Sequence, residues 1–134
     1  MKPSSLRRSA STTVKLGAEA EQAAADFLIS QGLTIVARNA ASRRGEIDIV
    51  ARDGDVLVFA EVRLRANRRF GSGADSVDVR KQQRLIKAAN HYLVRHHGAQ
   101  PPPCRFDVLS LAPAPEQSPP YRVEWVQDAF RPGF

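Results

Sequence analysis

Gly45-Glu46-Ile47-Asp48-Ile49-Val50-Ala51-Arg52-Asp53-Gly54-Asp55-Val56-Leu57-Val58-Phe59-Ala60-Glu61-Val62-Arg63 consists of two β-prone runs around an Asp-Gly turn. Asp-Gly between such runs is a strong hairpin signal. With Asp53 and Gly54 as the two turn residues, Arg52 faces Asp55, Asp48 faces Phe59 and Glu46 faces Glu61. Side chains alternate along a strand. One face of the hairpin is then wholly apolar, carrying Ile47, Ile49, Ala51, Val56, Val58, Ala60 and Val62. The other carries Glu46, Asp48, Val50, Leu57, Phe59, Glu61 and Arg63. On that face Asp48 and Glu61 are diagonal neighbours, roughly 7 to 8 Å apart at the backbone, within reach of one cation. A solvated sheet face would show the same alternation. Against it, Phe59, Leu57 and Val50 extend the charged end into a region that wants cover, where grouped carboxylates repel unless a proton or cation intervenes. Oxygen ligands without His or Cys suit magnesium, manganese or calcium rather than zinc.

The rest of the chain bounds what such a site can serve. With 134 residues, 43% of them hydrophobic, one domain with a real core is expected. A single cysteine, Cys104, cannot close an intramolecular disulfide. No apolar run reaches the 18 or so residues of a membrane helix, and Met1 to Lys15 lacks the apolar centre of a secretory signal. A cytoplasmic protein with no membrane partner follows as the expectation. The net charge is +6, but Lys2, Arg7, Arg8 and Lys15 precede Gly17, leaving 16 basic against 14 acidic residues in the remainder. Bulk charge therefore says little about the domain. Its clustering says more. From Arg63 to Lys87 stand Arg63, Arg65, Arg68, Arg69, Arg80, Lys81, Arg84 and Lys87, opposed only by Asp75 and Asp78. A basic patch that begins at a carboxylate pair is what a polyanion brought to a cation requires, although a solvated arginine-rich face reads the same way.

Residues 1–15 read as a disordered basic tail and 16–134 as the domain. A helix is expected from Gly17 to Gln31, with Ala20, Ala23, Ala24, Phe27 and Leu28 as its apolar stripe and Gly32 as its stop. Glu21 borders that stripe, where it either points to the sheet or keeps its carboxylate in water. Leu33 to Arg38 reads as a strand, Asn39 to Arg44 as a turn, and the hairpin follows. Asn67 to Ser76, with Gly71 and Gly73, is a loop. Asp78 is placed to cap a second helix ending near His97 and Gly98. Cys104 to Leu111 and Tyr121 to Gln127 read as two more strands. The order is αβββαββ, an α/β domain with a mixed sheet covered by helices. His96 and His97 suit a helix C-terminus, and Cys104 reads as a small buried hydrophobe. Neither a glycine-rich phosphate loop nor a Ser-His-Asp order is present.

Taken together, several stretches resemble the YraN-type family of predicted endonucleases, a branch of the PD-(D/E)XK nuclease superfamily related to archaeal Holliday junction resolvases. They are Gly17 and Glu21, Arg38-Asn39, Gly45-Glu46-Ile47-Asp48, Phe59-Ala60-Glu61-Val62-Arg63 with Arg65, Phe70-Gly71, Lys81-Gln82, Arg105-Phe106-Asp107-Val108 and Asp128-Ala129-Phe130. The resemblance covers about Gly17 to Phe130. It implies a restriction-endonuclease-like core in which Asp48 and Glu61 bind Mg2+ or Mn2+, with Glu21 as an accessory ligand and the residue two after the glutamate assisting the attacking water. A cation so held polarises a phosphodiester and neutralises charge on the leaving oxygen. The chain departs from the pattern at that last position, where Arg63 replaces the usual lysine. A guanidinium stays protonated and clamps phosphate, but is no base. Lys81, in the basic patch, is the other source of an ammonium.

The expected function is a metal-dependent endonuclease acting on DNA phosphodiesters, branched or damaged DNA included. The alternative is a nucleic-acid-binding module with a nuclease fold and impaired or absent catalysis. Arg65, Arg68, Arg69, Arg80, Lys81 and Arg84 are the expected nucleic-acid contacts, and a homodimer is left open.

Overall fold

The computed structural model describes residues 5–42, 45–65 and 77–132. Its elements are α1 (Ser5–Ser30), β1 (Thr34–Ser42), β2 (Gly45–Asp53), β3 (Val56–Leu64), α2 (Val79–His97), β4 (Cys104–Pro113) and β5 (Tyr121–Phe130), in the order read from the sequence. The strands form one mixed sheet ordered β1-β2-β3-β4-β5, parallel only between β3 and β4. The β3–α2–β4 connection supplies that parallel pair, since a crossover needs a long segment between its strands.

The two helices cover opposite faces. Ala20, Ala24 and Leu28 of α1 join Ile49, Ala51, Val58, Ala60, Leu109 and Leu111 in one buried cluster. Leu85, Ala88, Ala89 and Tyr92 of α2 join Ile47, Val50, Leu57, Phe59, Phe106 and Val108 in the other. Asp78 caps α2 by accepting from the Lys81 N–H at 2.8 Å, and Gly98 closes it at φ +60°.

Several expectations need correction. The helix read as starting at Gly17 begins at Ser5, so the stretch read as a loose tail is helical from there on. After Pro3, that stretch contains no proline to break a helix. β1 continues through the expected turn at Asn39 to Ser42. In the hairpin Asp53 pairs with Val56, so Gly54 and Asp55 are the turn residues, and Val50, not Asp48, faces Phe59. The positive φ falls on Gly54 at +60°, the first of the two, which is where a type II′ turn needs glycine. Because partners moved by two positions, most face assignments survive. Ile47 is the exception, packing with Val50 and not with Ile49. Cys104 is exposed, its Sγ 3.1 Å from the Pro102 carbonyl oxygen. The expected loop from Asn67 to Ser76, with Arg68, Arg69 and the Phe70-Gly71 pair, lies outside the described residues. Among the described residues, no helix is long and apolar enough to cross a membrane.

Candidate functional site

The site begins with a break in the alternation of β1 and β2. Ile47 and Val50, three residues apart, reach the same core cluster, as do Ala37 and Ala40 on β1. Strict alternation would send the members of each pair to opposite faces. The facing changes between the pairs Arg38↔Ile49 and Ala40↔Ile47, where Asn39 adopts φ +53°, while the register itself shifts earlier, between Ile35 and Ala37, and is constant from there on. Asparagine is among the few side chains that enter this left-handed region readily. The change faces Asp48, and there β2 leaves β3. The last β2–β3 pair is Ile49↔Ala60, while β3 continues beside β4 to Leu64↔Leu111. At the fork the Val62 N–H donates to Asp48 Oδ2 at 2.8 Å. A side-chain carboxylate thus takes the place of a ladder carbonyl.

A cavity of about 360 Å³ opens at this fork, lined by Glu21 of α1, Glu46 and Asp48 of β2, Glu61 of β3, and Lys81 and Arg84 of α2. Helices from opposite faces both reach it because the strands part there. The Asp48 and Glu61 carboxyls both line it, close enough for each to feel the other's charge. Desolvation first, then the charge of Glu61 and, more weakly, that of Glu21 push the Asp48 carboxyl up to about 7, against the lowering effect of the Val62 N–H. Glu61 is almost fully buried, and its Oε2 lies 3.0 Å from Lys81 Nζ.

Glu21 reaches the cavity wall without joining the pair, and its Oε1 lies 3.9 Å from an Arg38 guanidinium nitrogen. Among the described residues, no three Asp, Glu, His or Cys side chains gather closely enough to hold one metal ion. Arg63, expected beside the acids, is not among the lining residues, and the ion pair to Glu61 is made by Lys81. Of the other basic positions, Lys81 and Arg84 line the cavity; Arg80 and Arg65 do not. Arg65 extends the β3–β4 ladder by donating its N–H to the Leu111 carbonyl at 2.7 Å. Glu46, which the sequence sets on the charged face of the hairpin but not among the candidate ligands, also lines the cavity.

A second acidic cluster lies elsewhere in the sheet and has a structural role. Asp107, fully buried, accepts from Arg105 Nε at 3.0 and 3.2 Å, Trp125 Nε1 at 3.0 Å and the Asp128 N–H at 2.9 Å. Asp128, at φ +53°, sits in the irregularity where β5 runs from Val126 to Phe130 while β4 moves only from Val108 to Phe106. Arg105 also reaches Asp53 Oδ2 at 2.9 Å, tying β4 to the hairpin end. Every acceptor role of Asp107 is thus filled from within the fold.

Comparison with known proteins places these residues in a family. Residues 20–111 match the model of the uncharacterised protein family UPF0102. The chain belongs to UPF0102. A UPF0102 protein of Symbiobacterium thermophilum is 47% identical over 116 residues, 87% of this chain and 96% of its own length. One from Alcanivorax borkumensis is 48% identical over 85% of this chain and 90% of its own, and one from Pseudomonas paraeruginosa 45% over the same shares. The matched region contains every lining residue of the cavity at the strand fork.

Proposed function

We propose that this UPF0102 member is a metal-dependent endonuclease of the PD-(D/E)XK type, working on DNA in the cytoplasm. The observation that carries the reading is the Asp48–Glu61 pair, two carboxyls lining one cavity at a strand fork, Asp48 raised to about 7 and Glu61 facing an ammonium. Such a pair needs a positive charge or a shared proton, and its all-oxygen donor set suits Mg2+ or Mn2+. Asp48 and Glu61 would hold the ion, with Glu21 and Glu46 as wall carboxylates able to order its water shell. When bound, a divalent cation supplies polarisation of a phosphodiester and activation of water.

The chain's own residues do the rest. The Val62 N–H holds Asp48 Oδ2 at 2.8 Å and so fixes the carboxylate at the cavity wall. Lys81 sits where a scissile phosphate would approach Glu61, and Arg84 lines the same mouth. Lys81, not Arg63, is therefore the ammonium available to the reacting phosphate. The alternative of a binding module without catalysis draws on the arginine at position 63, yet loses force because another cation stands at the carboxylates.

The test is cleavage of linear, nicked and four-way-junction DNA with Mg2+ or Mn2+, by the parent chain and Asp48→Asn. Metal-dependent cleavage lost in Asp48→Asn is the expected result. DNA binding without cleavage under any divalent cation would leave the binding module standing in its place.

A further inference from the structure

Behind the acidic cavity, α2 and β1 enclose a groove of about 580 Å³ lined by Val36, Ala37 and Ala40 on the strand and by Ala88, His91, Tyr92, Arg95 and His96 on the helix. Among the described residues no carboxylate lines it, whereas four line the cavity at the fork. The two are joined along one helix stripe: Arg84, Ala88, His91 and Arg95 follow the four-, three- and four-residue steps that keep side chains on one face. Arg84 belongs to the cavity, and the other three to the groove. The far end carries an aromatic platform. The exposed His96 ring packs on Tyr92 with centroids 4.3 Å apart, and Tyr92 is braced edge-on by Phe59 at 5.9 Å.

We propose that this groove binds a single-stranded nucleic-acid segment running from the acidic cavity along α2. The direction of the strand rests on the nuclease reading; the binding surface does not. Arg84 and Arg95 offer guanidiniums to phosphates at the two ends of the segment, Val36, Ala37 and Ala40 supply an apolar floor for sugar edges, and His96 offers a ring face to a base. From Arg84 to Arg95 the helix rises about 16 Å, the length of roughly five stacked nucleotides at about 3.4 Å each. An apolar floor and an open ring face suit unpaired bases, which a duplex keeps stacked inside, so the occupant is a single strand such as a flap, a gap or a frayed end.

The experiment measures fluorescence anisotropy of a labelled dT12 oligonucleotide and a matched 12-base-pair duplex with the full chain in EDTA. His91→Ala/Arg95→Glu is the groove variant, since both side chains are exposed, and Arg52→Glu is a charge-matched control at the other end of β2. The groove variant should bind dT12 about tenfold more weakly, with a salt slope shallower by about 0.7 for the lost arginine contact, while the control binds nearly as the parent. Iodouracil placed in the oligonucleotide should cross-link to Tyr92 or His96. Equal dT12 affinity in parent and groove variant overturns the proposal, whether or not the parent cleaves DNA. A groove variant that loses self-association in sedimentation while keeping dT12 affinity overturns it too, assigning the groove to a second copy. A parent that never cleaves but needs the groove to bind dT12 upholds the groove and removes only the nuclease reading.

Discussion

Asp48 carries the heaviest electrostatic cost in the site. Its carboxyl titrates at about 7 in the fold against an ordinary 3.8, so the folded protein holds a proton that the unfolded chain has released. Stability from this group is complete below pH 4 and is lost as pH rises through 7. Asp48→Asn keeps an acceptor for the Val62 N–H and carries no charge. It should raise the unfolding free energy by roughly 1 to 3 kcal/mol at pH 8 and little at pH 4, measured by urea denaturation at both values. An unchanged pH 8 midpoint would show that Asp48 is not strained by its neighbours. Lys81 is the opposite case. Lys81→Ala leaves buried Glu61 without its ion-pair partner, and cleavage should fall at least about a hundredfold, the scale of a group acting on transition-state charge. Arg63→Ala should cost far less, and Arg63→Lys should not rescue Lys81→Ala in a plasmid-nicking assay. The Asp48–Glu61 pair was named from the sequence by an alternation that in fact breaks between Ile47 and Val50; the two come together because Asp48 lies where β2 leaves β3. Lys81 was named only as another source of an ammonium; its contact with Glu61 was not legible, because no strand or helix period links β3 to α2.

Elements fit together here through two local irregularities, at Asn39 and Asp128. The left-handed Asn39 lets Ile47 change faces and opens the fork at Asp48. Asn39→Gly should be tolerated, whereas Asn39→Val forces a β-branched side chain into φ > 0. A cost of roughly 1 to 2 kcal/mol is expected, along with weaker metal-dependent activity, read by thermal unfolding and the nicking assay. The Asp107 network holds the other side of the sheet. Asp107→Ala strands Arg105, the Trp125 indole N–H and the Asp128 N–H, and should destabilise by about 3 to 5 kcal/mol in denaturant titration. A loss under 1 kcal/mol would mean that the three donors find other partners. Neither irregularity could be placed from sequence. Asp-Gly at 53–54 fits two registers equally well, and a strand pattern does not announce where it skips a residue. Element order, the ends of both helices at Gly32 and Gly98, and the Asp78 cap were legible, since each depends on a residue type with a narrow local role.

At the scale of the whole molecule, charge is sorted by position. Four carboxylates line the cavity at the strand fork, while among the described residues the groove behind α2 is lined by Arg95, His91 and His96 without an acid. The sequence showed a basic cluster from Arg63 to Lys87, but linear proximity misjudged its parts: Lys81 and Arg84 enter the cavity and Arg63 does not. Arg95 and His91 join them through helical geometry that a charge count cannot see. The claim on which the account rests is that the Asp48–Glu61 pair is a divalent cation site. Calorimetric titration of Mn2+ at pH 8 into the parent chain, Asp48→Asn and Glu61→Gln tests it without reference to DNA or turnover. The account predicts one site in the parent, at least about tenfold weaker in either variant, with proton release that appears at pH 6 and vanishes at pH 8 as Asp48 becomes ionised beforehand. Equal Mn2+ affinity in all three proteins would contradict it.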